Sequence, residues 1–434
     1  MPQGPTLMVT NEIHPKDEWQ LSCNSCKEVL DWTITHFSCP QCRITGKTGL
    51  LECRFSPRRK PSRPLITEPS GIESYADFLP PTNGHRTQWH ATGNTPLKRS
   101  KHIASHHGIQ NLFFKIEADN PTGSFKDRYA AVTISLAKEA GYRCIAVSST
   151  GNLGISVAYY ASQYGMPCVV IVPSGTPTSF IEQLEDYGAH AVETTSKGRQ
   201  LFLEYLGHLP HWFAVGLFLK RKIQNPYGIE GYKTFAYEML TQLKASPDFI
   251  MFPCARGNNL YGTWKGFREA HEWSWCDSVP RMIACQPDGA DSLRVSLHRG
   301  VAHAVELPPV SSAAFSTAET VAGDESLAAI RESRGSAYGA SEAQILNAVN
   351  ELKVEGISVE PSSALPIACL PDFIAEFQPL REEIVVCVLT AGQRNLTTSG
   401  THYLPSRHER LSPSLSSLRD YLTRQCLDIE SQSI

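Results

Sequence analysis

From about residue 91 the chain alternates short β-branched runs with helix-patterned stretches, and this alternation limits its possible folds more than any other feature. "CIAVSS" leads into "LGISVAYYASQYG", "CVVIVPSG" precedes "SFIEQLEDYG", "FIMFPC" precedes "LYGTWKGFREAHEW", and "EIVVCVLTAG" comes last. Strands alternating with helices argue for βαβ units and an α/β fold with parallel-rich sheets flanked by helices. In such sheets ligands gather at the loops beyond the carboxyl ends of the strands. The loops that close these runs are therefore where chemistry is expected.

One of them is "NPTGSFKDR", residues 120–128, between the apolar run Leu112–Ile116 and a helical pattern from Tyr129. Asn120, Pro121 and Gly123 are turn residues, and Ser124 with Asp127 matches a capping box, which predicts a helix from about Ser124 with Lys126 in its first turn. A lysine there meets the positive pole of the helix, so a lowered pKa and a neutral, nucleophilic amine are expected. The alternative is an ordinary solvated lysine. Two further loops, "SSTGN" at 148–152 and "ARGNN" at 255–259, set glycine and small polar residues before a helix, and "LTAG" at 389–392 closes the last strand. Helix N-termini bind carboxylate or phosphate, and glycine lets the backbone come close. No GxxxxGK[ST] and no GxGxxG follows a strand, so nucleoside triphosphate and dinucleotide folds lack their fingerprint. A lysine at one helix start with anion-binding loops elsewhere instead suggests an aldehyde cofactor carrying a phosphate, pyridoxal phosphate, and an amino-acid substrate.

The segments "NPTGSFKDR", "SSTGNLGISVAYYASQYG", "NPYGIEGYKTFAYEML", "GNNLYGTWKGF" and "EPSSA" resemble threonine synthase and its relatives among the fold type II, tryptophan-synthase-β-like pyridoxal phosphate enzymes, over about residues 90–400. The resemblance implies a two-lobed catalytic region in which Lys126 carries the cofactor covalently and serves as base. It implies that Asn152 bonds the ring's 3'-oxygen, that Ala255, Arg256, Gly257, Asn258 and Asn259 hold the phosphate, and that Thr390 faces the ring nitrogen. Ser149, Thr150 and Gly151, with Asn152, would bracket the substrate carboxylate. A hydroxyl at Thr390 would not keep a proton on the ring nitrogen, which favours elimination or replacement at the β or γ carbon over transamination. The implied activity is a lyase reaction of threonine synthase type, O-phosphohomoserine to threonine or a specialised analogue. A hydroxy-amino-acid dehydratase shares these features, and a non-catalytic binding protein that kept the fold is the rival from another class.

The chain departs from the family pattern in places. Arg256 stands where a small or neutral polar residue is expected. Lys222-Ile223 replaces a common Asn-Ser pair, and Gly228 follows Asn225-Pro226-Tyr227 where an arginine is common. Either Arg256 and the basic run Lys220-Arg221-Lys222 rebuild an anion site, with Lys222 touching substrate, or the leaving group is not phosphate. The second explanation predicts that O-phosphohomoserine is a poor substrate.

Ahead of this region, "CNSC" at 23–26 and "CPQC" at 39–42 offer four thiolates at the spacing of a structural zinc site, Cys23, Cys26, Cys39 and Cys42, with Cys53 as a substitute ligand. So small a module would depend on its metal for stability. The expected organisation is a zinc-ribbon-like module at 1–55, a linker rich in proline and basic residues at 56–90, a catalytic region at 91–400 with its smaller lobe at roughly 110–235, and a tail at 401–434 that frays or docks as a surface helix. A formal net charge of -3 gives no global basic field for nucleic acid, and no apolar run approaches the ~20 residues that span a bilayer. Thirteen cysteines, mostly single in apolar runs, suit reduced thiols. The expectation is a cytoplasmic enzyme, with a homodimer as its assembly.

Overall fold

The computed structural model describes residues 18–34, 39–46, 49–216, 225–393 and 407–427 of the 434. Two mostly parallel sheets organise the catalytic region. The larger has six strands in the order Ser336–Ala340, Arg281–Pro287, Phe249–Pro253, Ile384–Leu389, Asn111–Ile116 and Leu97–Arg99, all parallel except the last, an antiparallel edge. The smaller has five parallel strands in the order Glu409–Arg410, His190–Thr194, Cys168–Pro173, Cys144–Ser148 and Trp212–Ala214. Their central runs, such as Phe249–Phe252 and Val169–Val172, are buried because helices cover both faces, so they read as unbroken apolar stretches without alternation.

Three helices pack in a row, Lys126–Glu139 and Asn258–Glu272 on either hand of Pro226–Leu243. The middle one is apolar or paired nearly all round, as a central helix must be, and Asn225 caps it by accepting from the backbone of Tyr227 and Gly228. Gly231 is what permits the packing, since a Cβ there would lie 2.0 Å from the carbonyl oxygen of Arg128.

At the N-terminus, Val29–Asp31, Trp19–Cys23 and Leu51–Phe55 form an antiparallel sheet. It docks through aromatic rings: Trp32 meets Tyr227 at 5.7 Å and Phe55 meets Trp273 at 5.8 Å, both edge-on. Polar contacts join it to the helices Asn258–Glu272 and Asp324–Glu332, with Asn24 donating to Glu325 (3.0 Å) and Tyr261 to Glu52 (2.7 Å). Among the described residues no helix is long and apolar enough to cross a membrane.

Two expected boundaries move. Asn111–Ile116, assigned from sequence to the smaller lobe, lies in the larger sheet, because its apolar side chains face the core there. The linker does not run to 90. From Gly71 the chain forms a short 3₁₀ segment, Gly71–Phe78, and Ile72, Tyr75, Phe78, Leu79 and Trp89 are buried. The proline-rich, basic composition stops before them. Finally, the tail contributes strand Glu409–Arg410 to the smaller sheet and docks the helix Leu415–Arg424 through Leu418, Tyr421 and Leu422.

Candidate active site

Parallel pairing of Asn111–Ile116 with Ile384–Leu389 brings the two loops that follow side by side. They zip together: Phe125 N donates to Thr390 O (2.9 Å) and Gly392 N to Gly123 O (3.1 Å). This explains a difference from the sequence reading. The helix begins at Lys126, and Ser124 does not cap it, because its backbone is held in a bridge to Ala391. Asp127, the other half of the expected capping box, accepts instead from the backbone N–H and the hydroxyl of Thr122, both at 2.6 Å. Burial raises the Asp127 pKa to about 6, against those hydrogen bonds.

Lys126 opens onto a cavity of about 310 Å³, within the range of small-molecule sites, about 300–1,000 Å³. The same cavity is lined by Ser149, Thr150, Gly151 and Asn152, by Ala255 through Asn259, and by Thr390. All the expected catalytic, cofactor and substrate residues thus share one cavity except Lys222, which lies outside the described residues, as do Lys220, Arg221 and Ile223. Loss of water lowers the Lys126 pKa to about 8, while the carboxylates of Glu360 and Glu319 pull the other way. The direction agrees with the sequence argument but the cause differs: desolvation dominates, not the helix pole.

Asn152 opens the helix Asn152–Gln163 and points its Nδ2 at both oxygens of Glu360, 3.4 Å from each. Ser149 is engaged within its own loop, its hydroxyl accepting from the backbone of Gly154 (3.0 Å) and Gly151 (3.3 Å). It shapes the turn, and Thr150 and Gly151 line the cavity beside it. Thr390 is buried, and its hydroxyl meets that of Ser363 at 2.9 Å.

The 255–259 loop is fixed from behind. Gly257 has φ +81° and a Cβ there would lie 2.5 Å from Ser326 Oγ, so glycine is required on both counts. Ser326 Oγ (2.9 Å) and Gly323 N (3.0 Å) both donate to the Arg256 carbonyl. The loop feeds the helix Asn258–Glu272, whose first residues, Asn258 and Asn259, line the cavity. Asn258 Oδ1, Asn259 Nδ2 and, beside the Lys126 turn, Ser124 Oγ are buried without a hydrogen-bond partner among the described residues. Such atoms are rare in folded proteins, and a bound polar group would satisfy them. A lysine of lowered pKa, a helix N-terminus and orphaned polar atoms together fit a phosphate-bearing aldehyde.

Sequence reasoning missed several lining residues. Glu360, which lines the cavity, and Ser363, which backs Thr390, belong to "EPSSA", and its acid followed by two hydroxyls was the available signal. Arg199, Glu319, Ser316 and Tyr232 also line the cavity and carried no local motif.

Away from the cavity, the sulfurs of Cys23, Cys26, Cys39 and Cys42 lie within 4.8 Å of one another, and Cys53 is not among them.

Comparisons with known proteins agree with this geometry. The family model described as pyridoxal-phosphate dependent enzyme matches residues 89–391. Threonine synthase of Methanosarcina acetivorans is 31% identical over 379 residues, covering 86% of this chain and 91% of the archaeal one. That of Mycobacterium tuberculosis is 32% identical over 324 residues, covering 74% and 87%. Among solved structures, maize serine racemase superposes with a TM-score of 0.61 at 22% identity, covering 77% of this chain and 93% of its own. Threonine deaminase isoform 2 from Solanum lycopersicum gives 0.60 at 21%, covering 85% and 98%. At such identities the structural likenesses speak to the fold alone. The chain belongs to the pyridoxal-phosphate dependent enzymes, as a threonine synthase-like lyase of fold type II.

Proposed function

We propose that this enzyme catalyses elimination or replacement at the β or γ carbon of an amino acid. The observation that carries the reading is the meeting of Lys126, Asn152, the 255–259 loop and Thr390 around one cavity. When bound, pyridoxal phosphate supplies an electron-withdrawing ring that acidifies the substrate's Cα–H. Lys126 holds the cofactor and, once released by substrate, removes and returns protons, a task suited to an amine whose pKa is about 8. The amides of Gly257, Asn258 and Asn259 hold the phosphate, Asn152 braces the ring edge, and Thr150 with Gly151 takes the substrate carboxylate. The Thr390–Ser363 hydroxyl pair is uncharged, so nothing at that position keeps a proton on the ring nitrogen.

In the parent reaction of this family, O-phosphohomoserine and water give threonine and phosphate. Gly228 and the departures around it favour a specialised version with a different side-chain group. An activity screen across phosphorylated, acetylated and free hydroxy amino acids tests this. Efficient threonine formation from O-phosphohomoserine, unaffected by Arg256→Ala, would refute the specialised reading.

Zinc at the four cysteines is part of the proposal. A tetrahedral site with Zn–S near 2.3 Å needs sulfurs about 3.8 Å apart. Cys23–Cys42 at 3.6 Å and Cys26–Cys39 at 3.7 Å support that fit. Metal analysis should find one zinc per chain, and its absence from gently purified protein would count against it. None of the thirteen cysteines is paired in a disulfide, which supports a reducing, cytoplasmic setting.

A further inference from the structure

The cavity has a second cationic arm that the reaction itself does not use. Arg199, on the helix Ser196–His208 of the smaller lobe, reaches the cavity wall and donates from Nε to Ser148 Oγ (2.9 Å). Ser148 immediately precedes the loop expected to hold the substrate's α-carboxylate, so the guanidinium stands beside the substrate, on the smaller-lobe side. Val147, Leu203 and Val215 line the same side and give an apolar wall to an aliphatic arm.

The approach from position 228 is closed to a cation. A Cβ at position 228 would lie 2.3 Å from the ring of Tyr129, whose hydroxyl is held by the Val215 carbonyl at 3.2 Å. Any side chain from 228 is therefore displaced by an uncharged ring that itself lines the cavity. Of the described cations around the cavity, Lys126 belongs to the reaction centre and Arg256 to the phosphate loop, which leaves Arg199 for the substrate's side chain. Burial lowers its pKa and Glu319 raises it. Glu319 is exposed, so it is a counter-charge that water can solvate when another anion arrives.

We propose that Arg199, steadied by Ser148, binds a carboxylate on the side chain of the amino-acid substrate. A carboxylate matches the planar fork of a guanidinium. A phosphate dianion would bring a second negative charge beside Glu319 and Glu360, with Arg256 on the cofactor-phosphate loop and Lys126 at the reaction centre. The inference rests on the cavity being the cofactor and amino-acid site.

The test is a binding titration on the cofactor-loaded enzyme, read by the change in visible absorbance, with L-2-aminoadipate, the neutral L-norvaline and O-phospho-L-homoserine as probes. In wild type, aminoadipate should bind at least about 10-fold more tightly than norvaline. Arg199→Gln should weaken aminoadipate about 10- to 100-fold, as expected for loss of a charge-assisted pair, and norvaline less than about twofold. Arg199→Lys should restore part of the loss, and Glu319→Gln should tighten aminoadipate. Equal weakening of aminoadipate and norvaline by Arg199→Gln would reduce Arg199 to a structural role and overturn the proposal. Arg199-dependent binding of O-phosphohomoserine in place of aminoadipate would overturn it as well. A protein that never develops the visible band would overturn the cofactor reading along with it, whereas an intact band with charge-blind binding sinks this inference alone.

Discussion

Two clusters of charge lie two residues apart in "FKDR", on opposite sides of one helix, and they are built on opposite rules. Around Arg128 everything is buried and paired. Its guanidinium binds Glu117 through Nε and Nη2 (2.8 and 2.9 Å) and Glu238 through Nη1 and Nη2 (2.6 and 2.8 Å), with Thr234 and Thr95 taking the remaining directions. Lys115 adds a second cation, donating to Glu238, Gln242 and the Thr95 carbonyl. Burial pulls the Arg128 pKa down, but Glu117 and Glu238 outweigh it and hold it above the ordinary value. Burial likewise opposes ionisation of Glu238, and Arg128 and Lys115 overcome it, bringing its pKa to about 2. Around Lys126 no hydrogen bond reaches Nζ among the described residues, and its nearest described polarisable neighbour is the Phe125 ring, 4.2 Å from its centre. Two cations matched with two anions make an inert brace. A desolvated cation without a donor–acceptor partner is a reactive group.

The largest expected effect separates the clusters by function. Lys126→Ala should lose the visible cofactor band and at least about 10³-fold of turnover, since anchor and base vanish together. Measured against cofactor-free wild type, its denaturation midpoint should hold or rise. Folding lowers this lysine's pKa, so the protonated form is disfavoured in the folded state. The penalty is complete below about pH 8 and is relieved as pH climbs towards the unfolded value near 10.4. Removing the amine therefore removes a destabilising group at neutral pH. A normal rate, or a collapse in stability, would break the contrast.

Arg128→Met should do the reverse. It leaves Glu117 and Glu238 buried with only Lys115 between them, and the loss should be about 3–5 kcal/mol, read as a fall in chemical-denaturation midpoint or as insoluble protein. Thermal and chemical unfolding near wild type would mean that the network is not the brace its geometry implies. Gly257→Ala comes next, with about 1–3 kcal/mol of strain from φ +81° and the clash at Ser326. It should appear chiefly as weaker retention of the cofactor during dialysis, because the strained loop is the one expected to hold the phosphate.

The functional cluster was the more legible of the two in sequence, in part. Lys126, Asn152 and the glycine loops announce themselves because each is a local device, a turn feeding a helix, written in consecutive residues. The alternating runs likewise gave the α/β class. What sequence could not supply were contacts made by distant segments. Glu360, Arg199 and Glu319 enter the cavity from three different segments, and Glu238 joins Glu117 on the Arg128 guanidinium only after the helix Pro226–Leu243 is packed. The capping box failed for the same reason: pairing with Ala391 and a hydrogen bond from Thr122 took Ser124 and Asp127 for other work. The linker was drawn too long because composition marks where order is weak but not where buried aromatics such as Trp89 resume.

The smallest effect sharpens the account of Lys126 itself. Capture of an aldehyde requires the neutral amine, so the rate at which cofactor-free protein takes up pyridoxal phosphate should rise with pH through about 8, well below the 10.4 or so of a solvent-exposed lysine. Desolvation sets that value, and Glu360 and Glu319 offset part of it by favouring the ammonium. Glu360→Gln removes one of the two carboxylates while keeping a polar group opposite Asn152, so the midpoint of the uptake profile should move down by about one unit or less. Stopped-flow absorbance between pH 6 and 10 resolves such a shift. A midpoint that moved up, or one that stayed near 10 in wild type, would mean that water reaches Nζ and that the contrast with the dry Arg128 network is one of pairing alone, without desolvation.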